Sequence, residues 1–75
     1  MYFAPHGRYK RLLFLLVSAR EHAGLSQRAL SEKLKKAATY VSKYERGERR
    51  LDVIEFLEIT KALDVDPVDI IRKLA

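Results

Sequence analysis

Residues 24–47 read GLSQRALSEKLKKAATYVSKYERG. Gly24 stands where the end of a helix wants a left-handed residue. Ser26 is a good N-cap for a helix over Gln27 to Leu34. Leu30 and Leu34 form its inward side, with Ala29 beside them. The turn Lys35-Lys36-Ala37 leads to a second helix, expected over Ala38 to Arg46 and closed by Gly47. Val41 and Tyr44 face inward on that helix. Ala38, Thr39, Ser42, Lys43 and Arg46 lie on its other side.

So short a turn forces the two helices to cross steeply, which is helix-turn-helix geometry over residues 27–46. In that geometry the first helix spans a DNA backbone while the second enters the major groove. The side chains suit both tasks. Ser26 and Gln27 begin a helix whose free N–H groups favour a phosphate. Lys35, Lys36, Arg46, Arg49 and Arg50 can neutralise phosphates around the groove. Thr39, Ser42 and Lys43 are short or flexible donors able to reach base edges, and Lys can bond guanine O6 and N7.

Outward from this stretch the chain remains helical. Leu12, Leu13, Leu16, Ala19 and Ala23 recur at spacings of three and four, which predicts a first helix from about Arg8 to Ala23. Phe14, Leu15 and Val17 widen its apolar stripe almost all round, as in a central helix or one with a further partner. Asp52 to Glu55 has the spacing of a capping box. A fourth helix follows to about Leu63, with Ile54, Leu57, Ile59 and Leu63 among its apolar residues. Asp66 caps a fifth, Pro67 occupies its first turn, and it runs to near Leu74. No strand pattern competes, and there is no internal repeat or linker. The expectation is an all-α single domain of five helices, with residues 1–7 as a lead-in or arm.

Composition agrees. Seventy-five residues make one small domain, and 48% apolar content suffices for a packed core. The formal net charge of +5 favours polyanions, nucleic acid first and an anionic membrane surface second. The absence of Cys excludes a disulfide framework and a thiolate metal site, and fits a reducing cytoplasm. Arg8-Tyr9-Lys10-Arg11 followed by Leu12–Val17 imitates a secretion signal. Its apolar run is shorter than the roughly 7–15 residues such a signal needs, and far shorter than the roughly 20 that span a bilayer.

The same residues resemble the Cro/repressor-type helix-turn-helix family, the lambda-repressor-like domains also called the XRE family. The likeness is carried by Leu16, Arg20, Gly24-Leu25-Ser26-Gln27, Leu30, Leu34, Val41-Ser42, Glu45, Gly47 and Ala62-Leu63-Asp64-Val65-Asp66-Pro67, and covers roughly residues 12 to 72. It implies a five-helix lambda-repressor-like fold and DNA binding. It places a phosphate contact on Gln27, base contacts on Ala38, Thr39, Ser42 and Lys43, and a backbone contact on Arg46. It also implies an ion pair between Arg20 and Glu45 that ties the first helix to the reading helix.

Two positions depart from the family pattern. Lys35 stands where Gly is usual, and a left-handed Lys is strained by about 1–2 kcal/mol, so a rearranged turn is expected. Ala37 stands where a Ser or Thr cap is usual, which leaves the start of the reading helix open by a residue or two.

Plainer roles compete at several positions. Lys35 and Lys36 also suit a solvated turn, and Arg46, Arg49 and Arg50 alternate with Glu45 and Glu48 in a way that suits surface ion pairing. Tyr40 suits packing better than stacking on a sugar, and Tyr44 belongs in the core. His6 and His22 are expected on the surface with no metal site. Asp66 and Asp69 suit helix capping and the helix dipole rather than a cation. No nucleophile–base arrangement points to an enzyme and no cofactor is implied. The expected function is a cytoplasmic DNA-binding transcriptional regulator, repressor-like and homodimeric on a pseudo-palindromic site. Tyr2, Phe3 and Phe14, or else Val68, Ile70, Ile71 and Leu74 of the fifth helix, are the candidate dimer contacts. The alternatives are an antitoxin-type or bridging protein-interaction module, and an interfacial membrane binder using the basic start of the first helix.

Overall fold

The structure is a computed structural model, and it describes residues 7–75. Tyr2, Phe3 and His6 therefore lie outside the described residues. Five helices run in the order α1 (Gly7–His22), α2 (Gln27–Lys33), α3 (Tyr40–Glu45), α4 (Val53–Leu63) and α5 (Pro67–Arg72). Gly7 is the first residue of α1 rather than the last of a lead-in. Ala23 falls in the turn after α1, and α5 stops short of Leu74.

The core is built from one or a few residues of each helix. Leu13 and Leu16 of α1 meet Leu30 of α2, Tyr40, Val41 and Tyr44 of α3, Phe56, Ile59 and Leu63 of α4, and Ile70 of α5. α1 packs against both α3 and α4, so it is central as its broad stripe implies. Phe14 nevertheless points away from the core and is 66% exposed. On α4 Phe56 is buried beside the expected Ile59 and Leu63, whereas Ile54 and Leu57 face outward.

Four helices end in the same way. After α1, Leu25 N–H reaches Arg20 C=O and Gly24 N–H reaches Glu21 C=O. The same pair of bonds closes α2 (Lys36 to Ser31, Lys35 to Glu32), α3 (Glu48 to Lys43, Gly47 to Tyr44) and α4 (Val65 to Thr60, Asp64 to Lys61). Each is a Schellman motif, which needs one left-handed residue. Those residues are Gly24, Lys35, Gly47 and Asp64, with φ between 58° and 78°. The expected rearrangement at Lys35 does not occur. Two backbone hydrogen bonds of 2.9 and 3.0 Å hold the Lys in the conformation Gly would adopt.

The starts of α2, α4 and α5 are capped as their sequences indicate, and that of α3 is the exception. Ser26 Oγ accepts from Ala29 N–H at 3.0 Å and Asp66 Oδ1 from Val68 N–H at 2.9 Å. Asp52 and Glu55 form a complete capping box, with bonds of 2.7 and 2.9 Å. At α3 the N-cap residue Thr39 makes no side-chain capping bond.

Candidate nucleic-acid interface

The second helix of the motif, α3, is shorter than the sequence indicates, and this corrects the span of 38–46 expected for it. α3 begins at Tyr40, so Ala38 and Thr39 belong to the turn before it, and Arg46 follows its end. The link from α2 to α3 is correspondingly residues 34–39 rather than 35–37. Its second half is a turn closed by Tyr40 N–H to Ala37 C=O at 2.9 Å.

The outward side of this unit carries the expected base-contacting residues. Val41 and Tyr44 are fully buried, which fixes the rotation of α3. Ala38, Thr39 and Lys43 are exposed and Ser42 is half-buried. Thr39, Ser42, Lys43 and Arg46 recur at spacings of three and four, so they share one side. Ser42 Oγ–H donates to Thr39 C=O at 3.0 Å. With its proton so engaged, the hydroxyl offers acceptor capacity to a base edge, the complement of an adenine N6 or cytosine N4 amino group.

The basic residues around α3 are ordered by specific partners. Lys36 Nζ lies 5.6 Å and Arg49 Cζ 5.0 Å from the centre of the Tyr40 ring. Arg50 Cζ lies 4.3 Å from the centre of the Tyr9 ring, whose hydroxyl accepts from Leu51 N–H at 3.1 Å. Such cation–π contacts hold a charge in place without neutralising it. Arg49 also pairs with Glu55 at 2.7 Å, and Arg46 with Glu48 at 2.9 Å. Hydrogen bonding to these carboxylates raises both guanidinium pKa values above their ordinary range and lowers those of Glu48 and Glu55. Lys35 is exposed at the tip of the turn. Surface ion pairing thus accounts for part of the charge at Arg46 and Arg49, and Tyr40 is a buried packing residue that also gathers two cations.

Behind α3 lies a buried charge network. Arg20 Nε donates to Glu45 Oε2 at 2.7 Å and Nη2 to Oε1 at 3.3 Å, with side-chain exposures of only 12% and 6%. Arg20 Nη1 also reaches Leu25 C=O at 2.8 Å, and Gln27 Nε2 donates to Glu45 Oε1 at 2.8 Å. The hydrogen bonds from Arg20 to Glu45 raise the Arg20 pKa. One carboxylate at the end of α3 therefore joins α1, the start of α2 and α3. Gln27, the expected phosphate contact, is oriented by Glu45, and Ser26 uses its hydroxyl as a cap.

A helix-turn-helix family model (HTH_3) matches residues 16–70. The chain belongs to this helix-turn-helix family. Its fold is also similar to a solved structure of an XRE-family like protein from Pseudomonas syringae pv. tomato str. DC3000. That likeness has a TM-score of 0.85 at 44% identity, covering 91% of this chain and 85% of the other. Comparison with curated proteins finds no match.

Within this helix-turn-helix domain, two features escaped the sequence reading. The aromatic supports of the cations, Tyr9 and Tyr40, belong to elements far from some of their partners in sequence, so no local pattern announces them. The other is Ser31, a buried polar residue on α2 whose hydroxyl accepts Val41 N–H at 3.1 Å. Its only sequence signal is a Ser beside Leu30 on the inward side of α2, opposite a helix start that lacks a cap.

Proposed function

We propose that the chain is a DNA-binding transcriptional regulator that reads the major groove with α3 and the turn preceding it. The observation that supports this best is the orientation of α3. Its apolar side is locked into the core, while Thr39, Ser42 and Lys43 face outward amid Lys36, Arg46, Arg49 and Arg50. In this reading Lys43 and Ser42 contact base edges, Thr39 reaches a base from the turn, and Ala38 meets a thymine methyl. Lys35, Lys36, Arg46, Arg49 and Arg50, with Ser26 and Gln27 at the start of α2, contact the backbone and set register. The regulator acts in the cytoplasm as a repressor-like homodimer, without catalysis or a cofactor.

The dimer contact in this proposal is the outward side of α4 and α5. Val53, Ile54 and Leu57 are 65%, 61% and 43% exposed, and Val68 and Ile71 are 47% and 50% exposed. Val53 and Ile71 line one shallow groove together with Leu12, Leu51 and Leu74. Ile70, a candidate from the sequence, is committed to the core. A two-fold contact would present two reading units to successive major grooves about 34 Å apart.

Selection from random duplex DNA with the purified chain, at near-physiological salt, tests this reading. The expected product is an inverted repeat with half-sites one helical turn apart. Recovery of unenriched duplexes would overturn sequence reading, and enrichment of a single half-site would overturn the dimer.

A further inference from the structure

We infer that Ser31 is the residue that sets where the reading helix begins. This rests on the proposal that α3 and its preceding turn read DNA. The helix has no cap of its own, because Ala37 has no hydroxyl and Thr39 makes no side-chain capping bond. An uncapped helix start leaves N–H groups without partners, and burying such a group is costly. Val41 is fully buried, so its N–H has no access to water. Ser31 Oγ accepts that N–H at 3.1 Å from across the turn.

The consequence is geometric. In a helix that began at Ala38, Val41 N–H would bond to Ala37 C=O, four residues back. Here that carbonyl accepts from Tyr40 instead, and Ser31 takes Val41. Ala38 and Thr39 are thereby kept in the turn. Ser31 also holds the residue just before the same turn, since its carbonyl accepts Lys36 N–H at 3.0 Å. One fully buried residue of α2 thus bonds on both sides of the segment 37–40, at Lys36 within the link and at Val41 in α3. It touches no proposed DNA-contacting surface, so it is a positioning residue for Ala38 and Thr39.

The test uses Ser31→Ala and the double substitution Ser31→Ala with Ala37→Ser. Amide hydrogen exchange on the free proteins reads the cap, and selection from random duplexes reads its effect on recognition. In Ser31→Ala, exchange at Val41 is expected to speed up about fivefold more than at Leu30 and Ile59, as befits loss of one hydrogen bond. The enriched site should lose preference at the base pairs reached from Ala38 and Thr39 and keep it at those reached by Lys43. Ala37→Ser restores a local cap, so the double variant should recover preference there but for a shifted or different base. Equal acceleration at all three amides, or none at Val41, would overturn the cap. An unchanged site in both variants would overturn its role in positioning. If the unsubstituted chain selects no DNA while the exchange result holds, the DNA reading fails and the cap stands.

Discussion

At the scale of single residues, two side chains occupy positions that local chemistry disfavours. Lys35 is left-handed at φ 59°, in a motif that Gly would fill without steric cost. Lys35→Gly should stabilise the fold by about 0.5–1 kcal/mol, the steric relief being partly offset by greater freedom of the unfolded chain. Denaturant unfolding measures this. The same change removes an exposed cation beside α3, so DNA affinity should fall while stability rises. Tyr44 is the second case. It is fully buried, and its hydroxyl is the buried side-chain polar atom without a hydrogen-bond partner among the described residues. Burial pushes its pKa well above the ordinary tyrosine value. Tyr44→Phe deletes the unsatisfied group and keeps the edge-on contact with Tyr40, whose ring centre lies 5.6 Å away. Thermal unfolding should show equal or greater stability, by up to about 1–2 kcal/mol. A loss would show that the hydroxyl has a favourable interaction in the folded state.

At the scale of elements, legibility follows how local the cause is. Gly24, Gly47, Ser26, Asp52 with Glu55, and Asp66 with Pro67 act within a few residues of themselves, and each marks a helix end that the structure retains. The turn after α2 keeps its left-handed residue, against the expected rearrangement, because two backbone bonds outweigh the preference of Lys35. The start of α3 is open by a residue or two in the sequence, because the hydroxyl that accepts Val41 N–H lies ten positions away on another helix. The α4 capping box carries a pH dependence. Glu55 is held below the ordinary carboxylate value of 4.5, first by Arg49 and then by the backbone N–H of Asp52. A depressed folded-state pKa gives stability that is present above the unfolded value and lost as pH falls through the folded one. Stability should therefore decline from about pH 4.5 downward. Glu55→Gln should be less stable than the parent at pH 7, and the gap should narrow progressively as pH falls below about 4.5. Thermal unfolding across this range reads the effect, and a gap that stays constant with pH would assign it to packing.

At the scale of the whole molecule, charge and shape divide the work. The excess of positive charge was legible from composition, and so was the pairing of an inward apolar side of α3 with an outward polar one. The arrangement of the cations was not, because it depends on Tyr9, Tyr40 and Glu55 meeting residues from other elements. This division leads to different consequences for two exposed lysines. Lys36 sits over the Tyr40 ring beside the turn, suited to a phosphate, whereas Lys43 lies on the outward side of α3, suited to a base edge. Phosphate neutralisation releases counterions, so it appears in the salt dependence of binding and is blind to sequence. Lys36→Ala should weaken binding to all duplexes alike and lower the slope of log affinity against log salt by about one. Lys43→Ala should instead relax preference at one or two base pairs, by roughly 1–3 kcal/mol for a good contact. Titrations of the selected site and of point variants of it, at several salt concentrations, separate the two. Equal weakening on every duplex by Lys43→Ala would make that residue a backbone contact, and would move base recognition onto Ser42, Thr39 and the turn.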